Sequence, residues 1–252
     1  MNATSTFAER VAVVTGAGSG IGRATALAFV RSGANVLAVD RQTDALKKVA
    51  AADPRIMPLV ADICAEDAAE TIIGAAVERW QRVDVLVNNA GATALMPLGE
   101  VAAARIHALL DLNVVAPSLL VNAAVALLRS SRGSIVNISS TYGHRPLPGA
   151  AHYAAAKAAL EQLTRSWALE LAPDGVRVNA IAPGPTETDA LTAAGLSPGM
   201  VARIKQEEAD RIPLGRRGEP DELAEWVLRV ADPSVTWLTG QVLTVDGGLE
   251  LL

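Results

Sequence analysis

Tyr153 and Lys157 stand four residues apart in a run, 151–171, that is rich in Ala and Leu and holds no Gly or Pro. Such a run predicts one long helix. Positions i and i+4 share a helix face, so a phenol and an ammonium would lie side by side. An unperturbed phenol titrates near pH ~10 and is a poor acid or base at neutral pH. A lysine charge ~4 Å away, at an effective dielectric of ~20, favours the phenolate by ~4 kcal/mol, or about three pK units. That brings Tyr153 toward the range in which proton transfer is efficient. Ser140, at the end of the strand expected before this helix, offers a hydroxyl that can hold a substrate oxygen. Together the three could move a proton on and off an alcohol or carbonyl oxygen. Tyr-x-x-x-Lys alone is also what a chance surface pair looks like, so the elements around it must decide.

Those elements alternate from end to end. Short apolar runs at 11–15, 35–39, 56–61, 83–88, 134–138, 177–181 and 242–245 are separated by helical segments near 21–32, 43–52, 66–80, 101–129, 151–172 and 220–231. The runs are nearly continuous in Val, Ile, Leu and Ala, as in strands buried on both faces. Repeated strand–helix units predict an α/β fold of Rossmann type: a doubly wound, parallel, seven-stranded sheet with helices on both faces. No linker or repeat divides the chain, so 1–252 reads as one domain. The one long irregular stretch, about 184–216, has the length of a lid or binding loop. Leu191, Leu196, Met200 and Val201 suggest short helices with an apolar face within it.

Composition narrows the function classes. Half of the 252 residues are hydrophobic but only 3% are aromatic, so the core must be aliphatic. A net charge of -5 gives no basic footprint and argues against a nucleic-acid binder. Cys64, the only cysteine, cannot form an intramolecular disulfide, and no Cys/His cluster suggests a metal site. The first ten residues have no apolar signal core. The uncharged run 112–128 is short for a membrane span and is interrupted by Asn113, Pro117, Ser118 and Asn122. A cytoplasmic protein with no membrane partner is expected.

After the first strand comes Gly16-Ala17-Gly18-Ser19-Gly20-Ile21-Gly22. Glycines here allow a tight turn and let a diphosphate approach the backbone, and the helix that follows offers free N–H groups to phosphates. The strict Gly-x-Gly-x-x-Gly pattern fails, and Gly16-x-x-x-Gly20-x-Gly22 stands in its place. Asp40 ends the second strand, where a carboxylate can accept both ribose hydroxyls of adenosine and would repel a 2′-phosphate. This favours NAD over NADP, although Arg41 could either stack on adenine or swing to a 2′-phosphate. Asp62 ends the third strand, suited to an adenine edge or equally to a turn. Asn88-Asn89-Ala90-Gly91 ends the fourth, with small residues that leave room for a flat ring. Asn113 lies inside an apolar helix, where Asn is a poor choice, and Pro117 would free its carbonyl to bind water. A buried Asn satisfied within the core is the equal alternative.

In order and spacing, the glycine loop, Asn88-Asn89-Ala90-Gly91, Asn113, Ser140, Tyr153-x-x-x-Lys157 and Pro183-Gly184 resemble the short-chain dehydrogenase/reductase family, over the whole chain. By that resemblance Asn113, Ser140, Tyr153 and Lys157 fall on the family's catalytic tetrad; Ser140 rather than Ser139 matches, thirteen residues before the tyrosine. Lys157 would also hold the nicotinamide ribose, and Asn113 a water linking Lys157 to solvent. Thr188 falls where the family binds the carboxamide. The remaining cofactor contacts implied are Gly16, Ser19, Gly20, Ile21, Gly22, Asp40, Arg41, Asp62, Ile63, Asn89, Ala90, Gly91, Tyr153, Pro183, Gly184 and Thr186.

The resemblance implies hydride transfer between nicotinamide and a secondary alcohol or ketone, within the subfamily of ketoreductases and hydroxysteroid and sugar-alcohol dehydrogenases. An NADPH-dependent ketoreductase and a non-catalytic dinucleotide sensor are the alternatives. Leu95, Met96, Tyr142, His144, Leu147 and the lid would line a mostly apolar substrate pocket. For His144 packing or substrate contact is expected, and for His107 and His152 packing. Family members are commonly tetramers, so a homotetramer is expected. Asp246-Gly247-Gly248 should make a tight turn beside the sheet.

Overall fold

The computed structural model describes residues 6–193 and 195–252. Among them seven strands form one parallel sheet: β1 Val11–Thr15, β2 Asn35–Asp40, β3 Ile56–Val60, β4 Val85–Asn88, β5 Ser134–Ile138, β6 Arg177–Pro183 and β7 Val242–Val245. Their order is β3-β2-β1-β4-β5-β6-β7. The helices between them are α1 Gly20–Arg31, α2 Thr43–Ala50, α3 Ala68–Trp80, α4 Ala103–Leu110, α5 Ala116–Ser131, α6 Ala151–Leu171, α7 Ala190–Ala193, α8 Pro198–Arg211 and α9 Pro220–Ala231.

Period-2 geometry divides the strands' apolar residues between two cores. Ala12, Val14, Val36, Ala38, Val85, Val87, Val136 and Ile138 face α1, α2 and α9, through Phe29, Leu46, Leu223 and Val227. Their neighbours Val13, Leu37, Val39, Leu86 and Ile135 face α3 and α5, through Ile72, Ala76, Leu120 and Leu128. That two-sided burial is why the runs are continuous in apolar residues. β3 is one of the two edge strands, and it accepts Pro58 because a missing N–H is tolerated at an edge.

Among the boundaries that differ from those read in the sequence, three have a visible physical reason. β4 begins at Val85, because the Asp84 carboxylate takes the Val11 N–H at 2.9 Å and pairs with Arg82 and Arg10. β6 runs on to Pro183, paired with Val245. The helix expected at 101–129 spans 103–131 and is not uniform: Asp111–Val115 is a π-helical turn in which the Ala116 N–H bonds the Asp111 carbonyl. Pro117 has no N–H to give the Asn113 carbonyl, and a five-residue bond accommodates that gap. Ala103–Ser131 is long and apolar enough to cross a membrane, by length and composition only. Here its inner face packs on α3 and β4.

The strand order reverses between β1 and β4. In open α/β sheets, that is where the carboxyl ends of the strands open a crevice. The glycine loop leaves β1 there, and Asn89 leaves β4 beside it.

Candidate active site

The mouth of the crevice is fixed by Thr15 and Asn89. The Thr15 hydroxyl accepts the N–H groups of Asn89 and Ala90 at 3.1 and 3.0 Å. The Asn89 amide donates to the carbonyl oxygens of Thr15 and Gly16 at 2.8 and 3.3 Å. Gly16 has φ 65°, and a Cβ on it would lie 2.8 Å from Asn89 Nδ2. A Cβ on Gly22 would run into the Gly16 carbonyl and the Asn89 amide. These glycines are therefore required by close approach as much as by conformation.

α1 then starts without a side-chain cap on its first N–H groups and without an acidic residue in its first turn. An uncapped helix start facing a crevice suits an anion. Thr188 lies across it: a Cβ on Gly20 would come within 2.9 Å of Thr188 Cγ2. Asp40 ends β2, with Oδ2 accepting the Gly18 N–H and Oδ1 accepting the Gln42 N–H, each at 2.9 Å. Arg41 beside it is exposed. Asp62 serves its turn, accepting the Cys64 N–H at 3.0 Å, and Ile63 behind it is buried. Burial, then Asp62 and Asp111, push the Cys64 thiol up, which keeps it protonated and unreactive.

Deeper in, Ser140 leaves β5 and Tyr153 and Lys157 rise from α6. The Ser140 hydroxyl accepts the Tyr142 N–H at 3.2 Å and acts on the Tyr153 phenol, whose pKa it lowers. Lys157 is 4% exposed and donates to the Ile138 carbonyl at 2.8 Å. Burial pulls its ammonium down to about 8. Its Nζ lies 5.9 Å from the centroid of the Tyr153 ring. The expectation that this ammonium would draw the phenol down fails here. Burial holds Tyr153 above the ordinary phenol value and outweighs the lowering effect of Ser140. The ammonium is turned to a backbone carbonyl and is itself easily discharged.

Asn113 is brought to the same place by the π-helical turn. Its amide donates to the Leu109 and Ala92 carbonyls at 2.9 and 3.3 Å, while its buried Oδ1 has no hydrogen-bond partner. A Cβ on Gly91 would come within 2.9 Å of that oxygen and 3.2 Å of Lys157 Nζ. Gly91 thus keeps open a polar cradle between an unpaired acceptor and a cation.

The expected substrate wall is only partly where it was placed. Met96 is buried with its N–H on the Gly149 carbonyl at 2.6 Å, which lays the 95–96 segment on the 147–150 loop. Leu95 is 53% exposed, and Tyr142 and Leu147 are half-buried beside the site. His144 does not offer a ring nitrogen to a substrate: Nδ1 lies 3.1 Å from Glu161 and Nε2 2.7 Å from Glu250.

Between β6 and α9, residues 184–216 carry α7 and α8. The loop leaving β6 is tight, since a Cβ on Gly184 would lie 2.6 Å from Asp246 Cβ. Buried Arg217 donates to the Thr186 carbonyl and pairs with Glu187 at 2.9 Å and with Glu208 of α8; Lys205 also pairs with Glu187. This segment is therefore anchored by charge, which reading for apolar faces missed; the clue was Arg217 next to Gly218 before a helix. Glu161 was missed as well, although it stands on Lys157's helix face four residues on.

The residues at the crevice fit a dinucleotide: glycines where a Cβ would collide, an uncapped helix start, a carboxylate at the end of β2 and an open polar cradle beside Lys157. A family model described as enoyl-(acyl carrier protein) reductase matches residues 16–250. The 3-oxoacyl-(acyl-carrier-protein) reductase FabG of Thermotoga maritima is 37% identical, over 96% of this chain and 98% of its own. The cis-4-hydroxycyclohexanecarboxylate dehydrogenase of Sinomonas cyclohexanicum is 36% identical, over 96% and 97%. The structure of 3-ketoacyl-(acyl-carrier-protein) reductase from Brucella melitensis complexed with NADH superposes with a TM-score of 0.89 at 32% identity, covering 96% of this chain and 99% of that one. With the fold, the glycine loop and the Ser140–Tyr153–Lys157 arrangement in register, the chain belongs to the short-chain dehydrogenase/reductase family of oxidoreductases.

Proposed function

We propose that this oxidoreductase uses NAD in preference to NADP and acts on a secondary alcohol or its ketone whose body is apolar. The observation that carries the reading is the juxtaposition of the Ser140 hydroxyl and the Tyr153 phenol beside a buried Lys157. Two hydroxyls converge on the place where a substrate oxygen can sit, with a proton source behind them.

Ser140 orients the substrate oxygen. Tyr153 takes its proton on oxidation and returns it on reduction. Lys157, at about 8, can pass a proton at neutral pH, and Asn113 Oδ1 offers an unpaired acceptor beside it. The first turn of α1 and Thr188 would hold the diphosphate and nicotinamide ends of the cofactor, and Asp40 the adenosine ribose. When bound, the nicotinamide supplies or accepts the hydride at the substrate carbon. Protein groups contribute placement and proton transfer.

Asp40 supports NAD because its carboxylate would face a 2′-phosphate, and the Brucella relative was crystallised with NADH. A second reading, an NADPH-dependent ketoreductase, is favoured for the cofactor by exposed Arg41 beside Asp40 and for the ketone by the Thermotoga relative, a 3-oxoacyl-(acyl-carrier-protein) reductase. Fluorescence titration of the protein with NADH and with NADPH decides between them. Tighter NADH binding supports the first reading, and tighter NADPH binding replaces it with the second. Exposed Val115, Leu119 and Leu169 on the outer helices, with Leu251 and Leu252 at the end of the chain, support a homotetramer, which light scattering tests.

A further inference from the structure

The turn that carries Ser140 is held from two sides by groups that take no part in the chemistry above. On its inner side stands Glu161, 2% exposed and one helical turn beyond Lys157. Glu161 Oε1 accepts the Ser139 hydroxyl at 2.8 Å, and His144 Nδ1 lies 3.1 Å from the same oxygen. A Cβ on Gly143 would run into that oxygen too, so the turn is seated directly on the carboxylate. On its outer side lies the end of the chain. His144 Nε2 is 2.7 Å from Glu250 Oε2, Thr141 donates to Asp246 Oδ2 at 3.1 Å, and Arg145 donates to the Leu252 carbonyl at 3.2 Å.

We propose that Glu161 and His144 are positioning residues that clamp the Ser140 turn between α6 and the C-terminal segment, and so set the reach of the Ser140 hydroxyl toward Tyr153.

The clamp depends on both ring nitrogens of His144 donating. An imidazolium has two N–H groups, one for each carboxylate, whereas a neutral ring has one donor and one acceptor. The groups facing the ring are Glu161 from α6, with Arg165 3.6 Å from its other oxygen, and Glu250 and Thr244 from the C-terminal side. Asp246, which takes the Glu250 N–H at 2.8 Å, lies behind them. Burial pulls His144 down, but the hydrogen bonds and charges of Glu161 and Glu250 together carry it above its ordinary value. A group raised in the folded state stabilises fully below its unfolded value, about 6.5, and loses that contribution as pH rises through the folded value. The clamp should loosen as pH rises through that folded value, above ~6.5.

The test begins with a readout independent of turnover. Three histidines are present, and His144→Gln identifies the ring signal of His144 in a proton NMR titration. His144 is expected to titrate above ~6.5 in the parent, and lower than in the parent in Glu161→Gln and in Glu250→Gln. Turnover is expected to fall ~10-fold in Glu161→Gln, a loss within reach of a small misplacement at the site, with the Kd for NADH within about twofold of the parent. The parent's kcat is expected to step down as pH rises through the His144 titration, and His144→Gln to lack that step. The double variant should be no worse than the poorer single one, as for residues acting as a unit. A parent ring titrating at or below ~6.5 overturns the proposal, and so does a folded Glu161→Gln with the parent's kcat and pH profile. Should Glu161→Gln not fold, Glu250→Gln carries the same test from the exposed side. The kinetic half rests on the dehydrogenase reading: if that reading fails, the parent shows no turnover, while the ring titration still decides the clamp.

Discussion

Lys157 Nζ donates to the Ile138 carbonyl at 2.8 Å, and Ile138 is the last residue of the strand that leads into Ser140. The ammonium thus ties the helix bearing Tyr153 to the strand bearing Ser140. It does so in a buried place, which lowers its pKa to about 8.

This placement has a cost that Lys157→Met removes. Between pH ~8 and ~10.4 the unfolded chain holds a proton on this lysine that the folded chain has shed. The parent should therefore gain stability as pH rises through that window, by roughly 3 kcal/mol from this group. Lys157→Met should lack that rise, and at pH 7 should melt no lower than the parent while losing turnover. Thermal melts of both proteins from pH 7 to 10 check this. A variant that melts well below the parent at pH 7 would mean that the bond to Ile138 outweighs the burial cost.

Gly91 should be sensitive in function more than in fold. Its missing Cβ leaves the gap between Asn113 Oδ1 and Lys157 Nζ. Both neighbours are side-chain ends that can give way, so Gly91→Ala should cost about 1–3 kcal/mol of stability, as overpacking does. Turnover should drop more than ~10-fold, because the displaced groups are the cation and its neighbour. Chemical denaturation and steady-state rates on the same preparation separate the two effects.

Asp40 should set the cofactor. Asp40→Ser removes the charge that would face a 2′-phosphate and leaves Arg41 unopposed. The ratio of NADPH to NADH affinity should rise ~10- to 100-fold, corresponding to about 1.4–2.8 kcal/mol. Absolute NADH affinity should fall as well, because Asp40 also holds the Gly18 and Gln42 N–H groups. Fluorescence titrations with both cofactors measure the ratio; an unchanged ratio would take Asp40 out of cofactor choice.

How much of this was legible in the sequence follows from the range of each interaction. The parallel sheet was legible because burial on both faces writes continuous apolar runs, and Tyr153 and Lys157 because helical spacing is local. Asn113 stood out as a polar residue in an apolar helix, and the structure places it in a π-helical turn four residues before Pro117. For His144 the sequence left packing and substrate contact both open, because its partners are 17 and 106 residues away in the chain, and no local pattern reports such pairs. The effect of Lys157 on Tyr153 was also misjudged. Spacing brought the residues together, but burial and a backbone carbonyl decided the energetics. The charged anchor of the segment between β6 and α9, Arg217 with Glu187 and Glu208, is hidden for the same reason.

The central claim is that Tyr153 moves the proton of an alcohol or ketone oxygen. Parent and Tyr153→Phe should be compared at 340 nm on secondary alcohols with NAD and on the matching ketones with NADH, alongside NADH binding by fluorescence. The account predicts at least ~100-fold slower turnover in the variant, with NADH bound as in the parent. Turnover near the parent's in a variant that still binds NADH would contradict it.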